Sequence, residues 1–243
     1  MGVVRLTIAY DGGGFSGWAA QPGLRTVESE LSAALKRILG EPVSLRVAGR
    51  TDTGVHARGQ VVSFERATPL PDGFATRVNA VASHDLAVLR AEPAPDGFDA
   101  RRDARSRTYC YRMLASPVRD PLEQGRALWV PHPLDVEAMQ QCADALRGTH
   151  DFTAFTPTQT DHVRFERDVM RAEWKQASGL LEFWVEADTF MRHMVRILVG
   201  TMLEVGRGRR DADDFVRLLE GAPREAAGDT AQPHGLYLVS VSY

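Results

Sequence analysis

The sequence predicts an α+β fold made of two ferredoxin-like, split βαβ halves, spanning 1–103 and 104–243. Three observations carry this reading. The same order of strand and helix patterns occurs twice along the chain, and a proline-bearing stretch from Pro93 to Pro95 separates the two runs. A length of 243 residues with 44% hydrophobic and 25% charged side chains suits one large or two small globular domains. That composition excludes a disordered or coiled-coil chain.

In the first half, Val4, Leu6, Ile8 and Tyr10 alternate as a half-buried strand does, and Val27, Leu31, Leu35 and Ile38 recur at helical spacing and stop at Gly40. Val43, Leu45 and Val47 alternate again. A polar, glycine-rich loop follows, then a strand over Val61 to Phe64, a short helix over Phe74 to Val81 and a strand over Leu86 to Leu89. The second half repeats the order: a strand from Thr108 to Leu114, a helix from Asp135 to Leu146, and strands over Asp168 to Lys175 and Leu181 to Val185. A long helix from Phe190 to Val205, a shorter one opened by Asp211 and a last strand from Leu236 to Tyr243 complete it. Each half presents an antiparallel sheet with helices on one face, leaving the other face or the seam between halves for a ligand.

No apolar run approaches the roughly 20 residues of a membrane-spanning helix, and Met1 to Tyr10 lacks the apolar core of a signal peptide. Cys110 and Cys142 are far apart and form no zinc pattern with the seven histidines. The expected location is a reducing cytoplasm, with no metal. A net charge of −3 would not draw in a polyanion, yet the charge is patterned. Only Lys36 and Lys175 are lysine among 29 basic residues, and Arg101, Arg102, Arg105, Arg107 and Arg112 stand close together against Asp103 alone. Base composition of the genome and phosphate recognition both favour arginine. Tyr109 and Tyr111 interleave with that cluster, as in surfaces that stack bases and hold phosphates.

The segment from Ala48 to Arg58 is a polar, turn-rich loop between strands, where scaffold-held loops carry chemistry. It centres on Asp52, with Gly49 and Gly54 permitting tight turns. Arg50 can pair with the carboxylate and keep it ionised as a nucleophile. Asp52-Thr53-Gly54 is also the tripeptide of aspartic proteases, but it occurs once, and Arg50 beside it disfavours a shared proton.

Gly49-Arg50-Thr51-Asp52-Thr53-Gly54-Val55-His56-Ala57, continuing to Gly59-Gln60-Val61, resembles the catalytic loop of the tRNA pseudouridine synthase A family. The likeness runs through Tyr10-Asp11-Gly12, Gly17-Trp18, Asn79-Ala80, Phe98-Asp99-Ala100-Arg101, Arg107-Thr108-Tyr109-Cys110-Tyr111 and Gly148-Thr149-His150-Asp151-Phe152. It ends with Phe190-Met191-Arg192-His193-Met194-Val195-Arg196 and Gly235-Leu236-Tyr237-Leu238, covering essentially the whole chain. The chain departs from the family pattern at Ala19, where Gln is common, and at Ala82-Ser83, where Leu-Pro is common.

The resemblance implies that the two halves form one extended, mostly antiparallel sheet with the active-site cleft at the seam. It implies a homodimer that isomerises uridine at positions 38 to 40 of the tRNA anticodon arm, with no cofactor. Asp52 would be the catalytic carboxylate, adding to ribose C1′ or to uracil C6, or assisting loss of the C2′ proton to give a glycal. Arg50 would fill the place of the flipped base or serve in a loop salt bridge. Tyr109 would stack on uracil and take the C5 proton, with Tyr111 on the same strand face. Arg196 would partner Asp52; Arg192, one helical turn before it, would share its face and lie with His193 near the RNA path. His56, Arg58, Arg101 and Arg107 complete the implied substrate-binding set. Trp18, after the Gly12 to Gly14 run, belongs to a loop that moves on RNA binding or simply packs. The competing class is an RRM-like module that only binds RNA, which explains the arginines and tyrosines but not a carboxylate set beside arginine.

Overall fold

A computed structural model describes residues 2–160 and 162–243. The chain forms two compact units, Met1–Arg105 with Tyr237–Tyr243, and Ser106–Leu236. Both are α+β and mostly antiparallel.

The first unit contains β1 (Gly2–Tyr10), α1 (Val27–Leu39), β2 (Arg46–Val47), β3 (His56–Arg66), α2 (Phe74–Asn79) and β4 (Leu86–Ala94). Strand β1 pairs antiparallel with β4 on one side and β3 on the other, and β2 joins the far edge of β3. This is the split βαβ order the sequence predicts. One face of the sheet buries Leu6, Ile8, Val62, Phe64 and Val88, and α1 buries Val27, Leu31 and Leu35. Helix α1 starts where Thr26 accepts from the Ser29 amide and Ser29 reaches back to Thr26, a reciprocal cap of about 1 kcal/mol. It ends at Gly40, whose φ of 80° supplies the left-handed residue that closes a helix.

Only Arg46–Val47 of the expected 43–47 strand is regular. It shares one edge of β3 with β10 (Leu236–Ser242), which runs parallel to β3 through Tyr237↔His56 and Leu238↔Ala57. The sequence pattern counts this last strand with the second half; its pairing with β3 makes Tyr237–Tyr243 part of the first unit. On the second face of that sheet Ala48, Val61 and Ala100 pack with Phe98, Val241 and Tyr243. The Tyr243 hydroxyl donates to the Ala100 carbonyl at 2.8 Å. The Phe98-Asp99-Ala100 motif is therefore a lid on the sheet.

The second unit contains β5 (Ser106–Ala115), β6 (Leu128–Val130), α3 (Val136–Ala145), β7 (Gly148–Asp151), β8 (Glu166–Ala177), β9 (Leu180–Ala187), α4 (Met194–Gly206) and α5 (Ala212–Arg217). Its strands run β5-β9-β8-β7, all antiparallel, with β6 parallel to β5. The sequence pattern misses β6 and β7, which are too short to show alternation. Helix α4 is apolar nearly all round and buries Met194, Ile197, Leu198 and Met202 completely, as a core helix does. It begins four residues later than the apolar pattern suggests, because His193 takes the left-handed conformation, φ 62°, and breaks the helical path before Met194. No helix among the described residues is long and apolar enough to cross a membrane.

Candidate active site

Asp52 is half-buried at the crown of the loop between β2 and β3. Its carbonyl accepts from the Val55 amide at 3.1 Å, closing a turn in which Gly54, at φ 78°, takes the position that needs positive φ. The backbone before it is fixed from below. Gln60, fully buried on β3, donates through Nε2 to the Gly49 carbonyl at 2.7 Å. The same amide lies 3.4 Å from the Tyr10 phenol oxygen, and that phenol lies 2.8 Å from the Thr51 hydroxyl. With Gln60 donating to the phenol oxygen, the phenol proton is directed to Thr51. Burial pushes the Tyr10 phenol up to about 12, so it stays protonated at neutral pH.

A second loop, over residues 11–18, interlocks with the first. The Trp18 amide donates to the Thr51 carbonyl at 3.0 Å, and a Cβ on Gly17, itself at φ 84°, would stand 3.0 Å from that oxygen. A Cβ on Gly12 would stand 2.0 Å from the Val55 oxygen. Gly12–Gly14 is an ordered helical turn capped by Asp11, and Trp18 is 1% exposed, 6.3 Å from the Tyr10 ring. Trp18 is a packing residue here, its indole buried beside the Tyr10 ring.

Of the residues implied to touch substrate in this unit, Arg50 and Arg58 are exposed. The Arg58 guanidinium lies over the Tyr237 ring at 5.1 Å. His56 is different. It is 3% exposed, its ring stacks on Tyr237 at 4.6 Å, and Nδ1 accepts from the Gly12 amide at 3.0 Å. An Asp11 oxygen lies 3.1 Å from the same nitrogen, a contact that would be an ion pair only if Nδ1 carried a proton. His56 thus ties the two loops together. Arg101 is exposed on the turn whose amides are capped by Asp99.

In the second unit Tyr109 and Tyr111 alternate on β5 opposite Val185 and Phe183. Their environments separate them. Tyr111 is fully buried, and its hydroxyl donates to the Gln232 carbonyl at 2.7 Å. Tyr109 is 8% exposed, with the Phe190 ring edge-on at 5.0 Å. Phe190 is placed by the turn after β9: the Asp188 carboxylate accepts from the Asp168 and Thr189 amides, and the Arg107 guanidinium donates to the Asp188 carbonyl at 2.8 Å. Arg107 is 7% exposed and holds this turn through that bond.

Arg192 is exposed and precedes the left-handed His193. It therefore lies outside α4 and does not share a helical face with Arg196, contrary to the i, i+4 expectation. Arg196 sits in the first turn of α4. Its Nε donates to the Ala231 carbonyl at 2.8 Å and its own carbonyl accepts from the Ala231 amide at 3.0 Å. One turn on, a Cβ at Gly200 would stand 1.7 Å from the Asp229 oxygen. The segment 229–232 thus runs between α4 and the Tyr111 hydroxyl, an arrangement that the sequence pattern does not signal. No group of three or more His, Cys, Asp or Glu among the described residues is placed to hold a metal ion.

A family model described as tRNA pseudouridine synthase matches residues 142–243. A protein of Halalkalibacterium halodurans named tRNA pseudouridine synthase A is 42% identical over 238 residues, covering 96% of this chain and 89% of that one. Proteins of the same name from Pelobacter propionicus and Moorella thermoacetica are 40% and 41% identical, each aligned over 100% of both chains. This chain belongs to the tRNA pseudouridine synthase A family. It is therefore an isomerase. The full-length matches extend over both the loop of Asp52 and the strand of Tyr109.

Proposed function

We propose that the chain isomerises uridine to pseudouridine in the anticodon arm of tRNA, at positions 38 to 40, with Asp52 as the catalytic carboxylate. One observation supports this reading beyond family membership: Asp52 stands at the crown of a loop whose backbone is held at Gly49, Thr51 and Asp52 by buried donors. A pure RNA platform has no use for a carboxylate set on such a held loop, since it repels phosphate. In the reaction the bond from uracil N1 to ribose C1′ breaks, the base turns over, a bond from C5 to C1′ forms, the C5 proton leaves and N1 gains one. No electrons are exchanged.

Asp52 acts at C1′, at C6 or in glycal formation. Exposed Arg50 enters the stack as the base leaves it. Tyr109 stacks on the uracil, and its phenol removes the C5 proton. Arg196 partners the carboxylate. Exposed Arg58, Arg101 and Arg192, with His193, hold the RNA. The active form is a cytoplasmic homodimer, and sedimentation of a monomer at working concentration would refute that part.

The decisive measurement is tritium release from C5-tritiated uridine in tRNA. Isomerisation frees the label, whereas a binding module leaves it in place. Asp52→Asn keeps shape but deletes the charge, and should bind tRNA as wild type while releasing no label. A variant retaining more than a few per cent of the rate would remove Asp52 from the mechanism.

A further inference from the structure

We infer that Tyr10 and Gln60 are positioning residues for the reaction: their buried chain of hydrogen bonds to Thr51 and Gly49 sets the aim of the Asp52 carboxylate. The inference rests on the proposed role of Asp52 and deepens it.

The argument is geometric. A loop of eight residues between β2 and β3 carries two glycines and has no helix or ladder to fix it. Fixing such backbone costs roughly 1–2 kcal/mol per residue in entropy, and the loop holds one conformation only if something offsets that. Two side chains from the sheet beneath do so. Tyr10 and Gln60 extend from adjacent strands β1 and β3, Gln60 opposite Ile8 two residues before Tyr10. Both are buried, at 4% and 0% exposure. Between them they satisfy the Gly49 carbonyl and the Thr51 hydroxyl, while the Gln60 carbonyl oxygen accepts from the Val61 amide at 3.2 Å. Every polar atom of the chain has a partner, which is the condition under which a buried network rigidifies what it touches.

The two side chains bond to Thr51 and Gly49, the loop residues that precede Asp52, and not to the carboxylate's own residue. Their effect passes through the backbone of the residue that carries the carboxylate. A displacement of about 1 Å in a reacting group costs on the order of a hundredfold in rate, so loss of one tether is expected to show in kcat. Binding of tRNA, spread over many phosphate contacts, is expected to stay unchanged.

Tyr10→Phe removes one oxygen and keeps the ring among Phe15 and Trp18. We expect its KM for tRNA to remain within twofold of wild type and its single-turnover rate of tritium release to fall roughly tenfold to a hundredfold. Thr51→Val removes the same hydrogen bond from the other side and should give a similar loss. The double variant should lose no more than the worse single one, since both delete one interaction. Asp52→Asn runs alongside. If that variant still turns over, the reading of Asp52 fails. If it is inactive while Tyr10→Phe and Thr51→Val release label at the wild-type rate, the positioning inference fails and the role of Asp52 stands. Should Tyr10→Phe not fold, Thr51→Val with the Gln60→Glu variant, which keeps size but replaces the amide donor to Gly49, decides the matter by the same rate. Equal losses in tRNA affinity and rate, or a multiplicative double variant, would also overturn the inference by showing a merely structural role.

Discussion

The ring of Phe190 meets that of Tyr109 edge-on at 5.0 Å with an interplanar angle of 80°. The contact holds the tyrosine by its edge, from a turn that Arg107 and Asp188 tie down. The hydroxyl and the ring of Tyr109 can therefore be tested apart. With the phenol removing the C5 proton, Tyr109→Phe should bind tRNA and cleave the glycosidic bond but stall with the C5 hydrogen retained. Tyr109→Leu should fail earlier. Quenched single-turnover reactions scored for tritium release and for rearranged nucleoside separate the two, and full activity in both variants would remove Tyr109 from the mechanism.

Exposed and buried arginines of one short segment should behave oppositely. Arg101→Gln is expected to leave stability within about 0.5 kcal/mol of wild type and to lower the slope of log affinity against log salt by about one. Arg107→Ala should leave that slope unchanged and destabilise the fold by about 1–3 kcal/mol, because the Asp188 carbonyl loses a buried donor. Urea unfolding and tRNA binding at several salt concentrations check both.

Two neighbouring glycines differ in what surrounds them. A Cβ on Gly12 would stand 2.0 Å from the Val55 oxygen, whereas one on Gly13 would meet only an Asp11 oxygen at 3.2 Å. Gly12→Ala should force the two site loops apart, at a cost of about 1–3 kcal/mol and most of the activity. Gly13→Ala should cost under about 1 kcal/mol. Unfolding midpoints and turnover of the pair give the comparison, and equal behaviour would contradict the interlocked loops.

Asp85 anchors the loop over residues 11–18: its carbonyl accepts from the Asp11 amide at 2.9 Å, and its carboxylate accepts from both Arg25 terminal nitrogens at 2.7 and 2.8 Å. The Arg25 bonds hold the Asp85 carboxyl below its ordinary range, partly opposed by burial. Since the folded value is lowered, the contribution to stability is present above the unfolded carboxylate range near pH 4 and is lost as pH falls through the folded value. The side chains are 38% and 30% exposed, so solvent screening limits the effect to at most about 1 kcal/mol. Asp85→Asn should be less stable than wild type at pH 7, and the difference should shrink as pH falls below the unfolded carboxylate range. A difference that persists in acid would assign the effect to packing.

Signals that are local in the chain were legible without coordinates. Alternation of Val4, Leu6, Ile8 and Tyr10, the helical spacing that ends at Gly40, and the Asp135 and Asp211 helix starts all reflect preferences of neighbouring residues, and the structure places elements at each. The loop of Asp52 also stood out, because its glycines and polar residues are turn chemistry that a short window displays. Partners far apart in sequence were not legible. Nothing near Gln60 says that its amide reaches Gly49, nor does anything near His56 say that it serves Gly12 and Tyr237. Tyr109 and Tyr111 look alike in a strand pattern; only the Gln232 carbonyl commits one of them to the core. Arg107 reads as one more basic residue in a cluster until burial against the Asp188 turn sets it apart. The spacing of Arg192 and Arg196 promised one helical face, which a single left-handed residue at His193 removes. Sequence determined the elements, since these follow from propensities within a few residues; tertiary structure decided which polar side chains tie the loops together, since that depends on hydrogen bonds and burial between segments the chain brings together only when folded.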